Sequence, residues 1–307
     1  MNIASEEHRP IGGASMAFLA QVQQKRRFPS WHFPMINDRT RNRAIFEAIA
    51  AIDLSGKTVF EIGTGAGLIA MYFVKCGARH VYTCEMDDQL YEIADQIITK
   101  NSLSDQITLV HGSSRQYIQS DAFNFSPDVI YTETLDCGVV GEGYDQIAQD
   151  ILRVAREDTV ILPSEIRQYG FLVDSDEIAA QNRIMDGLPF DLSSINEFST
   201  QYYFPIHYQL YKSRTLSPVH EMRRYDYLQP TPNDASSTMT AYRTGTCHGI
   251  VSYFQAQFGT SVVSNDVRDV GHWHQAFHPF PEPVHVTTGR TYHVILRNDG
   301  AISLLNG

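Results

Sequence analysis

Between positions 42 and 162 the apolar residues alternate between two periods. Residues 42–52 (NRAIFEAIAAI) carry them at helical spacing, and residues 57–62 form a short apolar run suited to a buried strand. The rhythm continues with a helix over 68–75, a strand over 80–85, a helix over 89–100 and strands over 107–111 and 129–132. A helix over 144–156 and a strand over 159–162 complete it. Short strands alternating with helices of this length predict a parallel, doubly wound α/β sheet of Rossmann-like type. Past Pro163 the texture changes: Tyr, Phe, Thr and His become frequent and helical spacing fades. Segments 167–173, 238–242, 249–258 and 291–296 read as antiparallel strands, and 186–217 fits neither pattern and reads as an insertion. The expected organisation is an N-terminal segment (1–42), a Rossmann-like domain (43–163) and a β-rich domain (164–307).

Composition narrows the function classes. The chain has 307 residues, 43% hydrophobic and 19% charged, which is globular rather than disordered. A formal charge of −11 with no basic stripe argues against nucleic acid and is compatible with cationic ligands. The four cysteines, Cys76, Cys84, Cys137 and Cys247, form no CxxC pair, as expected in a reduced compartment. No apolar run approaches the ~18 residues of a membrane span. The apolar patch over 11–20 is preceded by Glu6 and Glu7, where a signal peptide carries positive charge. A cytoplasmic protein with no membrane partner is expected.

Two motifs carry chemistry. The run Glu61-Ile-Gly63-Thr-Gly65-Ala-Gly67 ends the first strand, and glycines there let the backbone turn sharply against a ligand. Its GxGxG spacing differs from the GxGxxG of pyrophosphate sites. Glu85, at the end of the next strand, can accept both hydroxyls of a ribose. A glycine turn plus that acid suits adenosine without a pyrophosphate, hence S-adenosylmethionine rather than NAD. The second motif is the pair Glu133 and Glu142, which bracket a Gly-containing segment after the buried strand ending near Thr132. Two carboxylates facing a cofactor cleft make a site for a cation. His272, His274, His278 and His285 suggest a metal only superficially, because Pro279, Pro281 and Pro283 break the run and no Cys lies nearby; no metal is expected.

With these residues in view, the chain is similar to the protein arginine methyltransferase family over about residues 31–296. The double-glutamate loop, TETLDCGVVGEG, is nearest the divergent branches that include monomethylating and symmetric-dimethylating enzymes, and bacterial relatives acting on free arginine. Met35-Ile-Asn-Asp38-Arg-Thr-Arg41 resembles the segment that closes over the cofactor. The resemblance implies that Arg41 holds the methionine carboxylate. It implies that Met35, Glu61, Gly63, Gly65, Gly67, Glu85 and Ser114 line the S-adenosylmethionine site, with S-adenosylhomocysteine as product. Glu133 and Glu142 would clamp the guanidinium of arginine, free or in a peptide. His272, in Gly271-His272-Trp273, would take the proton, oriented by Asp38; Gly271 stands where the family has Thr. Asp136 and Trp273 would border the acceptor pocket, Asp136 limiting transfer to one methyl. Gly112-Ser-Ser-Arg115 stands where the family carries an acid near adenine. The implied fold adds a β-barrel-like domain with a dimerisation arm near 187–217, and hence a homodimer. Two rival readings are a methyltransferase acting on another small nucleophile and a non-catalytic scaffold that keeps the fold.

Overall fold

The computed structural model describes residues 26–185, 187–230, 233–269 and 271–306. The N-terminal patch over 11–20 and most of the expected capping segment lie outside them. Among the described residues two helices come first, α1 (His32–Asn37) and α2 (Arg39–Ala50), joined at Asp38. Asp38 starts α2, its carboxylate accepting the Arg41 N–H at 3.0 Å.

The parallel sheet follows: β1 (Thr58–Ile62), α3 (Leu68–Lys75), β2 (His80–Glu85), α4 (Asp88–Lys100), β3 (Ile107–His111), α5 (Ser114–Ile118), β4 (Val129–Thr132), α6 (Tyr144–Val154) and β5 (Val160–Leu162). The spatial order is β3-β2-β1-β4-β5, all parallel. β1 is buried along its whole length, as a strand covered on both faces requires. Helix starts carry their own signals: Asp87 accepts from Gln89 and Leu90, and Ser113 with Gln116 forms a capping box on α5. That short α5 was not foreseen from periodicity, because five residues are too few to show a period.

The remaining strands are antiparallel: β6 (Glu165–Asp174), β7 (Phe204–Ile206), β8 (Arg214–Thr215), β9 (His220–Tyr225), β10 (Ala235–Thr240), β11 (Gly245–Phe258), β12 (Ser261–Ser264), β13 (Gln275–Val286), β14 (Thr291–Leu296) and β15 (Ile302–Asn306). They form a seven-stranded ladder around β11 and a three-stranded ladder β10-β14-β15. β13 is a correction to the reading of its prolines as interruptions. β7 covers only Gln275 to Phe277 on one side of β13, and beyond that no described strand pairs with that side. Pro279, Pro281 and Pro283 alternate, so their missing N–H groups share one edge, and the ladder to β11 breaks register there. The main core cluster contains Phe60, Ile130 and Tyr131 of the parallel sheet and Phe254, Ala256 and Phe258 of β11, so both sheets bury apolar surface together. Among the described residues no helix is long and apolar enough to cross a membrane.

Candidate active site

Strand order reverses between β1 and β4, and the carboxyl ends of β1, β2 and β4 open at that point, where α/β sheets hold ligands. Glu61 lies on β1 and is 1% exposed. Burial pushes its carboxyl up to about 8, against the Thr83 hydroxyl that donates to it at 2.6 Å, and nearby Glu85 adds to the rise. Glu85, closing β2, accepts the N–H of Gly65 at 2.8 Å and of Asp87 at 2.9 Å, yet burial still raises it. Gly63 and Gly65 have φ of +87° and +52°, a backbone that other residues adopt with strain. A Cβ on Gly63 would lie 2.9 Å from the Thr134 methyl, whereas one on Gly65 would meet nothing within 4 Å. The turn therefore exposes bare backbone to open space beside Glu85.

Glu133 follows β4. Its carboxylate faces Arg41 of α2: Nε donates at 2.7 Å, Nη2 donates to the second oxygen, and the Tyr131 hydroxyl donates at 3.0 Å. Arg41 and Glu133 are 5% and 6% exposed on their side chains, a buried ion pair. Burial alone would lower the Arg41 pKa, but Glu133 and the neighbouring oxygens hold it above its ordinary value. Arg41 also donates to Asn42 at 2.7 Å, which leaves two of the five guanidinium N–H groups for a ligand carboxylate.

Glu142 makes no side-chain hydrogen bond among the described residues. It keeps an exposed face, although protein surrounds most of its carboxylate. Loss of solvation, then Asp136, Glu133 and Glu85, push it up to about 7, and the water at its open face tempers the effect. Asp136 accepts the Tyr203 hydroxyl at 2.8 Å and the N–H of Gly138 and Gly141 at 3.2 and 3.0 Å. Its carboxylate is thus occupied by the protein's own donors rather than held open toward a ligand.

His272 Nδ1 lies 3.0 Å from Asp38, whose carboxylate also accepts the His272 backbone N–H at 3.1 Å. Burial raises Asp38, but the Arg41 and His272 hydrogen bonds together pull it below its usual range. Burial lowers His272 despite Asp38. An ionised Asp38 beside a neutral imidazole puts the hydrogen on Nδ1 and leaves Nε2 as the acceptor. Trp273 packs its ring 3.8 Å from that imidazole and donates Nε1–H to the Leu135 carbonyl at 3.1 Å, which ties its loop to the glutamate loop. Both nitrogens of His278 are engaged, by Ser252 and the Gly300 carbonyl, at 2.8 Å each.

The structure brings Asp38, Arg41, Glu61, Glu85, Glu133, Glu142 and His272 to one end of the sheet. Met35 sits in α1, half-buried. The Ser114 hydroxyl donates to Asp150 at 2.7 Å, a contact between α5 and α6 that Arg115 shares. Three residues escaped the sequence reading. Tyr131 supports Glu133, Tyr203 holds Asp136, and His32 is 7% exposed, near Asp87, with Nδ1 unpartnered among the described residues. His32 lies three positions before Met35, so the closing segment itself was the available signal. A cavity of about 950 Å³ lies elsewhere, between residues 179–201 and β13.

These residues fit S-adenosylmethionine. Open backbone at Gly65 beside Glu85 suits a sugar, the unpartnered His32 nitrogen awaits a polar partner, and Arg41 retains donors for a carboxylate. Five clustered acids, Asp38, Glu61, Glu85, Glu133 and Glu142, against one arginine leave a surplus of negative charge, which a sulfonium and an ammonium would neutralise. Because Glu142 titrates near 7 without a cation beside it, acceptor binding is expected to weaken as pH falls from 8 to 6 and to release protons over that range. Calorimetry in two buffers of different ionisation enthalpy measures this; a proton count of zero at pH 7 would speak against a raised Glu142.

Residues 41–167 match the family described as ribosomal protein L11 methyltransferase, and residues 179–300 match the arginine methyltransferase oligomerization subdomain. An arginine N(omega)-methyltransferase of Streptomyces achromogenes subsp. streptozoticus is 32% identical over 272 residues, 87% of this chain and 75% of that protein. Protein arginine N-methyltransferase 9 of Xenopus laevis is 34% identical over 160 residues, 48% of this chain but only 19% of its own length. Among solved structures, the Trypanosoma brucei PRMT1 enzyme-prozyme complex superposes with a TM-score of 0.73 at 17% identity, covering 87% of each chain. Identity sustained across most of the Streptomyces enzyme, on a shared fold, places this chain in the protein arginine methyltransferase family, whose methyl donor is S-adenosylmethionine.

Proposed function

We propose that the protein transfers one methyl group from S-adenosylmethionine to a guanidino nitrogen of arginine, giving Nω-monomethylarginine. The observation that carries this reading is Glu142, a largely enclosed carboxylate with no side-chain hydrogen bond among the described residues, beside the Arg41–Glu133 pair. Arg41 and Tyr131 occupy both Glu133 oxygens, so Glu142 is the carboxylate left to grip the planar fork of an acceptor, with Glu133 behind it. We assign the cofactor to residues 43–163 with the 26–42 segment closing over it, and the acceptor to the junction with 164–307.

When bound, S-adenosylmethionine supplies an electrophilic sulfonium methyl. Glu142, with Glu133 behind it, draws the positive charge of the acceptor guanidinium toward the nitrogens it binds. The reacting nitrogen then keeps a more available lone pair, and the two acids aim it along one line. Glu61 stays short of a full negative charge until a cation arrives. His272 Nε2 accepts the departing proton, with Asp38 stabilising the imidazolium on Nδ1. The packed turn behind Glu142, filled by Asp136 and Tyr203, supports one transfer rather than two. The apolar face that exposes Phe190 and Phe198 on 187–202 supports a homodimer through this segment.

A labelled-methyl assay comparing free arginine, an arginine-rich peptide and a histone-like protein, read by mass spectrometry, tests this. The expected result is label on arginine as the monomethyl product. Abundant dimethylarginine would overturn the product assignment. Label on none of the three would favour another small nucleophile, or, if S-adenosylhomocysteine also fails to bind, a scaffold.

A further inference from the structure

The turn between Glu133 and Glu142 is held in an unfavourable shape. Val139, a β-branched residue, sits at φ +77°, a conformation such residues seldom adopt. It is fully buried, and its N–H donates to the Asp136 carbonyl at 3.1 Å. Strain of this kind persists only where surrounding contacts impose it.

The turn is braced by Tyr203, whose hydroxyl bonds Asp136 from 67 positions away in sequence. Its ring fills a slot between three glycines. A Cβ on Gly138 would lie 2.4 Å from the ring, one on Gly141 2.8 Å from the hydroxyl, and one on Gly300 2.3 Å from the ring. Gly138 and Gly141 belong to the glutamate turn, and Gly300 to the bend between β14 and β15. At the end of the slot the Tyr203 hydroxyl donates to one oxygen of Asp136, while the other oxygen takes the N–H of Gly138 and Gly141. Gly141 directly precedes Glu142. The ring is anchored by β7, which begins at Phe204 and pairs with β13. On its other side Thr200 exchanges hydrogen bonds with the Asn182 side chain at 2.9 Å each. Burial and Asp136 both raise the Tyr203 pKa, so the hydroxyl stays a donor.

We propose that Tyr203 is a positioning residue for methyl transfer: through Asp136 it fixes the backbone of the 136–142 turn, and so the place of the Glu142 carboxylate, from the antiparallel sheet. This rests on the arginine methyltransferase reading of the site. Asp136 then serves the acceptor through the loop's shape rather than by touching it.

Tyr203→Phe keeps the ring in its slot and removes only the hydroxyl. It is expected to lower kcat for arginine by about tenfold, the size of one lost hydrogen bond to a charged group. The dissociation constant for S-adenosylhomocysteine should stay within about twofold, because Glu61, Glu85 and the glycine turn are untouched. The pair Tyr203→Phe with Asp136→Asn should lose no more than the worse single variant, since both break one link. Hydrogen exchange supplies a readout that needs no turnover: amides of 136–142 should exchange faster in Tyr203→Phe, those of 61–67 unchanged. Unaltered exchange in 136–142, wild-type kcat, or strictly additive losses would each overturn the proposal. If wild-type enzyme methylates no arginine, the functional reading falls alone, and hydrogen exchange still decides the strut.

Discussion

Glu142→Gln is expected to lower methyl transfer by on the order of 10²–10³-fold, the usual effect of removing one preorganised electrostatic partner of a reacting group. Binding of S-adenosylhomocysteine should survive, because the residues assigned to the cofactor lie chiefly on β1, β2 and α2, away from Glu142. The variant should also be more heat-stable than wild type at pH 8. The folded carboxyl is raised to about 7 from an ordinary 4.5, so the folded state binds its proton more tightly than the unfolded chain does. Stability from this group is therefore lost as pH rises from about 4.5 to 7, and above that the whole penalty is in place. Gln removes the penalty. The gain should be ~1–3 °C at pH 8, modest because Glu142 keeps an exposed face, and near zero at pH 5. Thermal unfolding at the two pH values with single-turnover assays measures both effects. Near-normal turnover would remove Glu142 from the clamp. A lowered Tm at pH 8 would mean that its carboxylate is structurally paired.

Arg41→Met is expected to weaken both the fold and the cofactor site. The Arg41–Glu133 pair is buried on both sides, and removing one member of such a pair destabilises by ~3–5 kcal/mol, because the other is left charged without a partner. If Arg41 holds the cofactor carboxylate as proposed, binding of S-adenosylhomocysteine should fall by at least about tenfold with loss of that charged donor. The double variant Arg41→Met, Glu133→Gln tells the two effects apart. It leaves no stranded charge, so most of the stability should return while cofactor affinity and methyl transfer do not. Urea unfolding and calorimetry check the two halves separately. A single variant as stable as wild type would show that water reaches the pair, and a double variant that binds cofactor normally would show that Arg41 has no part in the cleft.

The same pair marks the limit of sequence reasoning. Arg41 and Glu133 were assigned to two different ligands, Arg41 to a cofactor carboxylate and Glu133 to an acceptor guanidinium. In the fold they hold each other, 92 residues apart. No local pattern could reveal this, because it depends on α2 packing over the end of β4. Asp136 shows the limit again. Its place three after Glu133 suggested a wall of the acceptor pocket, but its donors are Tyr203 and two backbone N–H groups. His32 went unremarked because, apart from its place in the closing segment, a lone histidine beside an aromatic carries no periodic or spacing signal; in the fold its buried Nδ1 has no partner among the described residues. The Asp38 and His272 pair was legible by resemblance alone, and the structure adds that Asp38 also starts α2.

What the sequence determined by itself were the properties set by near neighbours. The alternation of β1 to β5 with their helices, the glycine turn with its positive φ angles, and the acids at strand ends all follow from periodicity and backbone sterics within a few residues. Tertiary structure decided which of those acids meet, which are already paired, and which stand open to a cation. Such contacts span tens of residues and depend on strand order, on the register of β7 against β13, and on three missing Cβ atoms around one tyrosine ring. Burial then sets the charges, since the same glutamate is an ordinary acid in water and titrates near neutrality when packed among others.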